Sequence, residues 1–245
     1  MKSVLITGAN RSIGLETAKQ LSKKGLFVYL GTRDLANGEA VVKELNKNGF
    51  ENIKAVEIDV TNRDTIVAAM KIIENEQGKL DILINNAGIS RGFPDSALTA
   101  SVEDIQTVFE TNYFGTISVT QTFLELLKKS ESPRISNIST GLASLTLHGD
   151  PNWKYYPFKM TSYISSKAAL NAFTIVLAYE LRDLPFKVNA IDPGYTSTDF
   201  NQHRGPGTVE SAASFIIKHT LTDENAPTGK FFSNDIEDES EESPW

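Results

Sequence analysis

The sequence predicts an α/β fold: a doubly wound, seven-stranded, mostly parallel sheet with helices on both faces, forming a single domain. Three observations predict it. Short apolar, β-branched runs alternate along the chain with longer stretches whose apolar residues recur at helical spacing. The runs, LDILINNAG from Leu80 above all, are too apolar to leave one face in water, which is the pattern of parallel strands covered on both sides. The first run also passes directly into a glycine turn and then a helix.

Taken in order, Ser3 to Thr7 is the first strand, Gly8-Ala9-Asn10-Arg11-Ser12-Ile13-Gly14 the turn, and LETAKQLSKKG the first helix. Phe27 to Gly31 is the second strand; Thr32-Arg33-Asp34 turns into a helix over roughly Asn37 to Asn48. Ile53 to Val60 is the third strand, and Thr61 is a good N-cap for the helix carrying Ile66, Met70 and Ile73. Leu80 to Gly88 is the fourth strand. A long helix over Val102 to Lys129 holds Asn112 and Gly115 in its interior, where both are poor helix formers, so something compensates for them. Arg134 to Ser139 is the fifth strand, followed by a loop from Thr140 to Thr161, a helix from Tyr163 through Leu184, and the sixth strand, Lys187 to Asp192, closed by Pro193-Gly194. A helix over Thr208 to Leu221, a seventh strand over Lys230 to Ser233 and a solvated acidic tail complete the chain, so the expected division is a catalytic domain over 1–234 and a tail over 235–245.

Composition narrows the function. With 245 residues, 40% of them hydrophobic and 22% charged, the chain can bury one large core. A net charge of -7, partly local to the tail, argues against a nucleic-acid partner. The absence of cysteine excludes disulfides, thiolate metal sites and a cysteine nucleophile, and no metal cofactor is expected. No leader-like N-terminus and no apolar run of about 18 residues occurs, so a cytoplasmic protein without a membrane partner is expected.

The stretch with most chemical content is Tyr163-Ile164-Ser165-Ser166-Lys167. Side chains at i and i+4 share a helix face, so an ammonium sits beneath a phenol. A tyrosine titrates near about 10, and a neighbouring cation favours the phenolate. The pair is a candidate proton donor. The glycine turn has its own logic: Gly8 permits the tight turn, Gly14 permits close helix-to-strand packing, and the helix N-terminus directs backbone N–H groups at one spot suited to a pyrophosphate.

TGANRSIG from Thr7, NNAG from Asn85, Asn112 in a long helix, Ser139 after the fifth strand, and Tyr163-x3-Lys167 followed by Pro193-Gly194 together resemble the short-chain dehydrogenase/reductase family over essentially the whole chain. Within it, the Thr32-Arg33-Asp34 turn, the extended stretch before Tyr163 and a tail containing GKFF and Trp245 are similar to the NADPH-dependent carbonyl reductases. The resemblance implies a Rossmann fold and assigns roles. Ser139 donates a hydrogen bond to a carbonyl oxygen and Tyr163 gives it a proton; Lys167 depresses the Tyr163 pKa and holds the nicotinamide ribose; Asn112 holds a water linking Lys167 to solvent. For the cofactor, it implies Gly8, Asn10, Arg11, Ser12, Ile13 and Gly14 at the pyrophosphate, and Asp59 and Val60 at the adenine. Asn86, Ala87 and Gly88 line the floor, with Asn85 beside them, and Pro193, Gly194 and Thr196 meet the carboxamide. Two departures stand out. Ser12 replaces the family's usual middle glycine, and the stretch between Ser139 and Tyr163 is longer than in the commonest members, which affects the pocket mouth and the assembly surface.

NADP(H) rather than NAD is the expected cofactor. An NAD enzyme of this fold places an acid at the end of the second strand to bind both ribose hydroxyls. Here that strand ends in Leu30-Gly31-Thr32, with Arg33 next and Arg11 able to approach from the turn. Guanidinium groups match a 2′-phosphate with paired, charge-assisted hydrogen bonds. Asp34, the alternative ribose acid, lies beyond the strand end, where it caps the following turn. The expected activity is reduction of a ketone or aldehyde, or the reverse, on a small-molecule substrate bordered by Ser90 to Asp95, Leu142 to Tyr156 and Tyr195 to His203. A silent NADP-sensing protein would have lost part of the Ser, Tyr, Lys set, and a sugar-nucleotide epimerase would need a larger substrate domain. A monomer is favoured over a homo-oligomer.

Overall fold

The computed structural model describes residues 1–91 and 95–245. Its strands are β1 (Ser3–Ile6), β2 (Phe27–Thr32), β3 (Ile53–Glu57), β4 (Ile82–Asn85), β5 (Arg134–Ile138), β6 (Lys187–Asp192) and β7 (Phe231–Ser233). They form one sheet in the order β3-β2-β1-β4-β5-β6-β7, and every strand pairing in it is parallel. The order reverses between β1 and β4, which opens a crevice beyond the carboxyl ends of the central strands.

Helices cover both faces: α1 (Ser12–Lys23), α2 (Leu35–Lys47), α3 (Arg63–Gln77), α4 (Val102–Phe109), α5 (Gly115–Lys128), the short α6 (Leu145–His148), α7 (Thr161–Glu180) and α8 (Val209–Thr220). Alternation along each strand divides the core in two. Leu5, Tyr29, Leu83 and Ile135 face Ile66, Phe123, Leu127 and Leu177 of α3, α5 and α7, whereas Val4, Ile6, Val28 and Ile84 face Leu21, Leu45 and Ile216 of α1, α2 and α8. Each such side chain, fully buried, contributes about 2 kcal/mol.

Four expectations are revised by the structure. The long helix of the second half is interrupted by a π-helical segment at Glu110–Phe114, which contains Asn112 and ends where α5 begins at Gly115. The N-cap of α3 is Asn62, whose side chain accepts from the Asp64 N–H at 3.0 Å, because Asp59 Oδ1 already engages both the N–H and the hydroxyl of Thr61. The Thr140 to Thr161 stretch contains a 3-10 turn at Gly141–Ala143 and α6. The acidic tail is not solvated throughout: Phe232 bridges to Glu242 in antiparallel fashion, Ser243 is buried, and Trp245 stacks on Phe231 with ring centroids 5.5 Å apart. Its carbonyl accepts from both the N–H and hydroxyl of Thr146, so the tail ties the stretch before Tyr163 to β7.

Candidate active site

Two constructions meet at the crevice. On the nucleotide side, Gly8 has φ +63 and a Cβ there would lie 3.0 Å from Ala87 Cα; at Gly14 a Cβ would lie 2.7 Å from the Gly8 carbonyl. Only glycine allows that approach. The loop after β4 is bolted to this turn: the backbone N–H groups of Asn86 and Ala87 both donate to Thr7 Oγ1 at 3.0 Å, and Asn86 Nδ2 donates to the carbonyls of Thr7 and Gly8. Ser12 has φ +50, a left-handed conformation that explains why a glycine is usual there.

Asp34, Asn62, Ser101 and Thr208 cap α2, α3, α4 and α8 with side-chain acceptors, whereas α1 has no side-chain cap. Its first N–H groups face the crevice without an intrahelical partner. Asn10 Nδ2 donates to Asn37 Oδ1 at 2.8 Å, holding the turn to α2. Arg33 is exposed at the rim, and Arg11 reaches across it to within 3.8 Å of Asp199. Asp34 caps α2 by accepting from the Asn37 N–H, as read from the sequence.

On the reaction side, α7 delivers Tyr163 and Lys167. This helix lacks a local cap; Asp95, from the distant connection between β4 and α4, replaces it by accepting from the Ser162 N–H at 2.8 Å and the Ser162 hydroxyl at 2.5 Å. Lys167 is 3% exposed, and its ammonium donates to the Ile138 carbonyl at 2.6 Å. Burial pulls its pKa down to about 8. The half-buried Tyr163 packs against Phe200 at 5.4 Å between ring centroids. Its pKa is pushed up, by burial first and then by the Asp192 carboxylate, whereas the spacing alone suggests a phenol depressed by Lys167. The phenol is thus held protonated.

Asn112 is 0% exposed in the π segment, where its carboxamide pairs with both the N–H and the carbonyl of Ile89 and donates to Ser166 Oγ at 3.0 Å. It stands behind the cleft and fixes the loop beneath it. Ser139 lies at the cleft wall, with its hydroxyl donating to Asn171 Oδ1 at 2.7 Å.

These parts enclose one cleft of about 1320 Å³. Gly8, Asn10, Arg11, Ser12, Ile13, Gly14, Arg33, Asp59, Val60, Asn86, Ala87, Gly88, Ser139, Tyr163, Lys167, Pro193, Gly194 and Thr196 all line it; Asn112 does not. Leu142, Tyr155, Tyr195 and Phe200 border its far end, while residues 92–94 of the expected pocket lie outside the described residues. The sequence reading missed Asp192, which accepts from Ser233 Oγ at 2.6 Å and the Gly194 N–H at 3.0 Å. Burial foremost, with Asp235 adding, pushes its carboxyl up to about 6. An acid at a strand's carboxyl end before Pro193-Gly194 was the available signal.

The profile of the family described as short chain dehydrogenase matches residues 2–208. The short-chain dehydrogenase anuI of Penicillium roqueforti is 34% identical over 242 residues, covering 97% of this chain and 94% of its own. Among solved structures, salutaridine reductase from Papaver somniferum superposes with a TM-score of 0.83 at 29% identity, covering 96% of this chain and 100% of that one. The NADPH-bound carbonyl reductase from chicken fatty liver gives a TM-score of 0.83 at 28% identity, covering 95% and 96%. No helix among the described residues is long and apolar enough to cross a membrane. With the family profile spanning most of the chain and the Ser139, Tyr163 and Lys167 side chains gathered beside the glycine turn, the chain belongs to the short-chain dehydrogenase family of nicotinamide-dependent oxidoreductases.

Proposed function

We propose that this protein reduces a ketone or aldehyde to an alcohol, or runs the reverse reaction, with NADP(H), in the manner of the carbonyl reductases. The observation that carries the reading is the placement of a protonated Tyr163 phenol on the wall of the same cleft that holds the uncapped N-terminus of α1. NADPH, when bound, supplies the hydride that reduces the carbonyl carbon. The negative charge that develops on the carbonyl oxygen is met by the Ser139 hydroxyl and discharged by the Tyr163 proton. Lys167 holds the nicotinamide ribose and offers positive charge beneath the phenol. The turn from Gly8 to Gly14 would hold the pyrophosphate, Asp59 and Val60 the adenine, and the loop from Pro193 to Thr196 the carboxamide. Arg33 and Arg11, which line the cleft, would receive a 2′-phosphate; that the chicken relative carries NADPH supports the choice. The substrate is a small hydrophobic carbonyl compound, and the protein acts in the cytoplasm as a monomer.

The test is a panel of ketones and aldehydes with NADPH or NADH at one pH and ionic strength. Clear preference for NADPH is expected, with Arg33→Ala costing NADPH roughly 1.5 to 3 kcal/mol and hardly touching NADH. Tyr163→Phe should lose about a hundredfold or more in kcat while binding NADPH normally; a variant retaining above about a tenth of the parent rate would overturn the acid assignment.

A further inference from the structure

The Ser139 hydroxyl meets the carboxamide of Asn171. In the structure it donates to Asn171 Oδ1 at 2.7 Å, and a hydroxyl has a single proton to give. Asn171 is 4% exposed, and its Nδ2 has no hydrogen-bond partner among the described residues. Both oddities lie in one contact, between a residue that follows β5 and a residue of α7 that continues the Tyr163, Lys167 series by a further four positions.

We propose that Asn171 is a positioning residue for reduction, and that rotation of its carboxamide by half a turn directs the Ser139 proton into the cleft. The oxygen and nitrogen of a carboxamide are nearly isosteric, so the rotation exchanges them in place. Asn171 Nδ2 then donates to Ser139 Oγ, and the serine proton is released toward the substrate oxygen. The rotated amide leaves an under-satisfied oxygen in place of a buried N–H donor without a partner, the less costly of the two omissions. Asn171 does not line the cleft and acts through Ser139 alone. The inference rests on the reading above, that Ser139 donates to the substrate oxygen.

The experiment is a double-mutant cycle on kcat and KM with NADPH and the fastest substrate of the carbonyl panel. Asn171→Leu keeps the shape of the side chain without its polar atoms and adds no charge beside Lys167. Asn171→Leu should lower kcat about tenfold with KM and NADPH affinity changed less than about threefold; in a Ser139→Ala background it should change kcat less than about twofold. Equal losses in the two backgrounds would mean a structural role and overturn the proposal, as would an unchanged kcat in the Ser139 background. If Ser139→Ala itself leaves kcat unchanged, the reading of Ser139 fails and the proposal with it. If that variant is slow and Asn171→Leu is not, the proposal alone fails. Should Asn171→Leu not fold, the smaller Asn171→Ala takes its place in both backgrounds.

Discussion

At the scale of single residues, the site stores strain at one position and charge at another. Ser12 holds φ +50, and a left-handed conformation costs a residue with a Cβ about 1–2 kcal/mol. Glycine relieves that but gives the unfolded chain more freedom, worth about 0.5–1 kcal/mol. Ser12→Gly should therefore stabilise the protein by about 0.5–1 kcal/mol in urea unfolding; a lower midpoint would mean that the hydroxyl holds the turn together. Asp192 titrates near 6 in the folded protein against 3.8 ordinarily, so the native state binds this proton more tightly than the unfolded state does. Its contribution to stability is therefore largest below about pH 4 and is lost as pH rises through 6, by up to about 3 kcal/mol. Asp192→Asn lacks that dependence, and its stability relative to the parent should climb between pH 4 and 7; a constant difference would refute the assignment. Ser12 shows what the sequence can carry at this scale. The motif was readable because its neighbours repeat a known spacing, but the sign of φ belongs to the folded backbone. Asn171 was unreadable for another reason: its partner is Ser139, 32 residues away on a different element.

Among the elements, the segment from Val102 to Lys128 best separates what pattern reveals from what packing decides. Apolar periodicity marks a long helix correctly, and the misfit of Asn112 and Gly115 signals a disturbance, yet only tertiary contacts specify its form. The form is a π segment that carries Asn112 to Ile89, and a glycine at its exit. A Cβ at Gly115 would stand 2.8 Å from Val60 Cγ2 and 2.9 Å from the Val60 carbonyl. Val60 borders the cleft, so the glycine lets α5 approach its wall. Intrinsic propensity favours alanine over glycine in a helix by about 1 kcal/mol, but overpacking costs about 1–3 kcal/mol. Gly115→Ala should thus destabilise the protein by about 1 kcal/mol and weaken NADPH binding, measured by thermal melting and fluorescence titration. Any rise in melting temperature would show that the helices part freely at this point. The existence of α7 was legible, but it spans Thr161–Glu180 rather than Tyr163 to Leu184, and its true start required Asp95, which no local pattern announces.

For the whole molecule, the parallel, doubly wound sheet was legible because apolar strands alternate with helices, whereas the order of its strands is set by packing. The tail was not, because its acidic residues suggest solvent while the burial of Ser243 and the stacking of Trp245 depend on β7 and on Thr146. The sheet order has a kinetic consequence. After β4, each new strand joins the edge left by its predecessor, and β1 to β3 likewise add outward. Within the sheet the two halves meet at the seam where β1 pairs with β4, beside which Ser3 and Asp81, 78 residues apart, are joined by a hydrogen bond of 2.9 Å. Closing a loop of that length costs about 4 kcal/mol of chain entropy, so the seam is the slow contact to gain. Stopped-flow refolding should recover helical circular dichroism before NADPH fluorescence enhancement; simultaneous recovery would mean that the halves do not form ahead of the seam. The cofactor crevice straddles that join, with Thr7 on one side and Asn86 on the other. A bound dinucleotide therefore acts as a suture: at a hundred times its Kd it adds about 2.7 kcal/mol against unzipping the two halves, which makes nucleotide supply a determinant of how long each copy survives proteolysis.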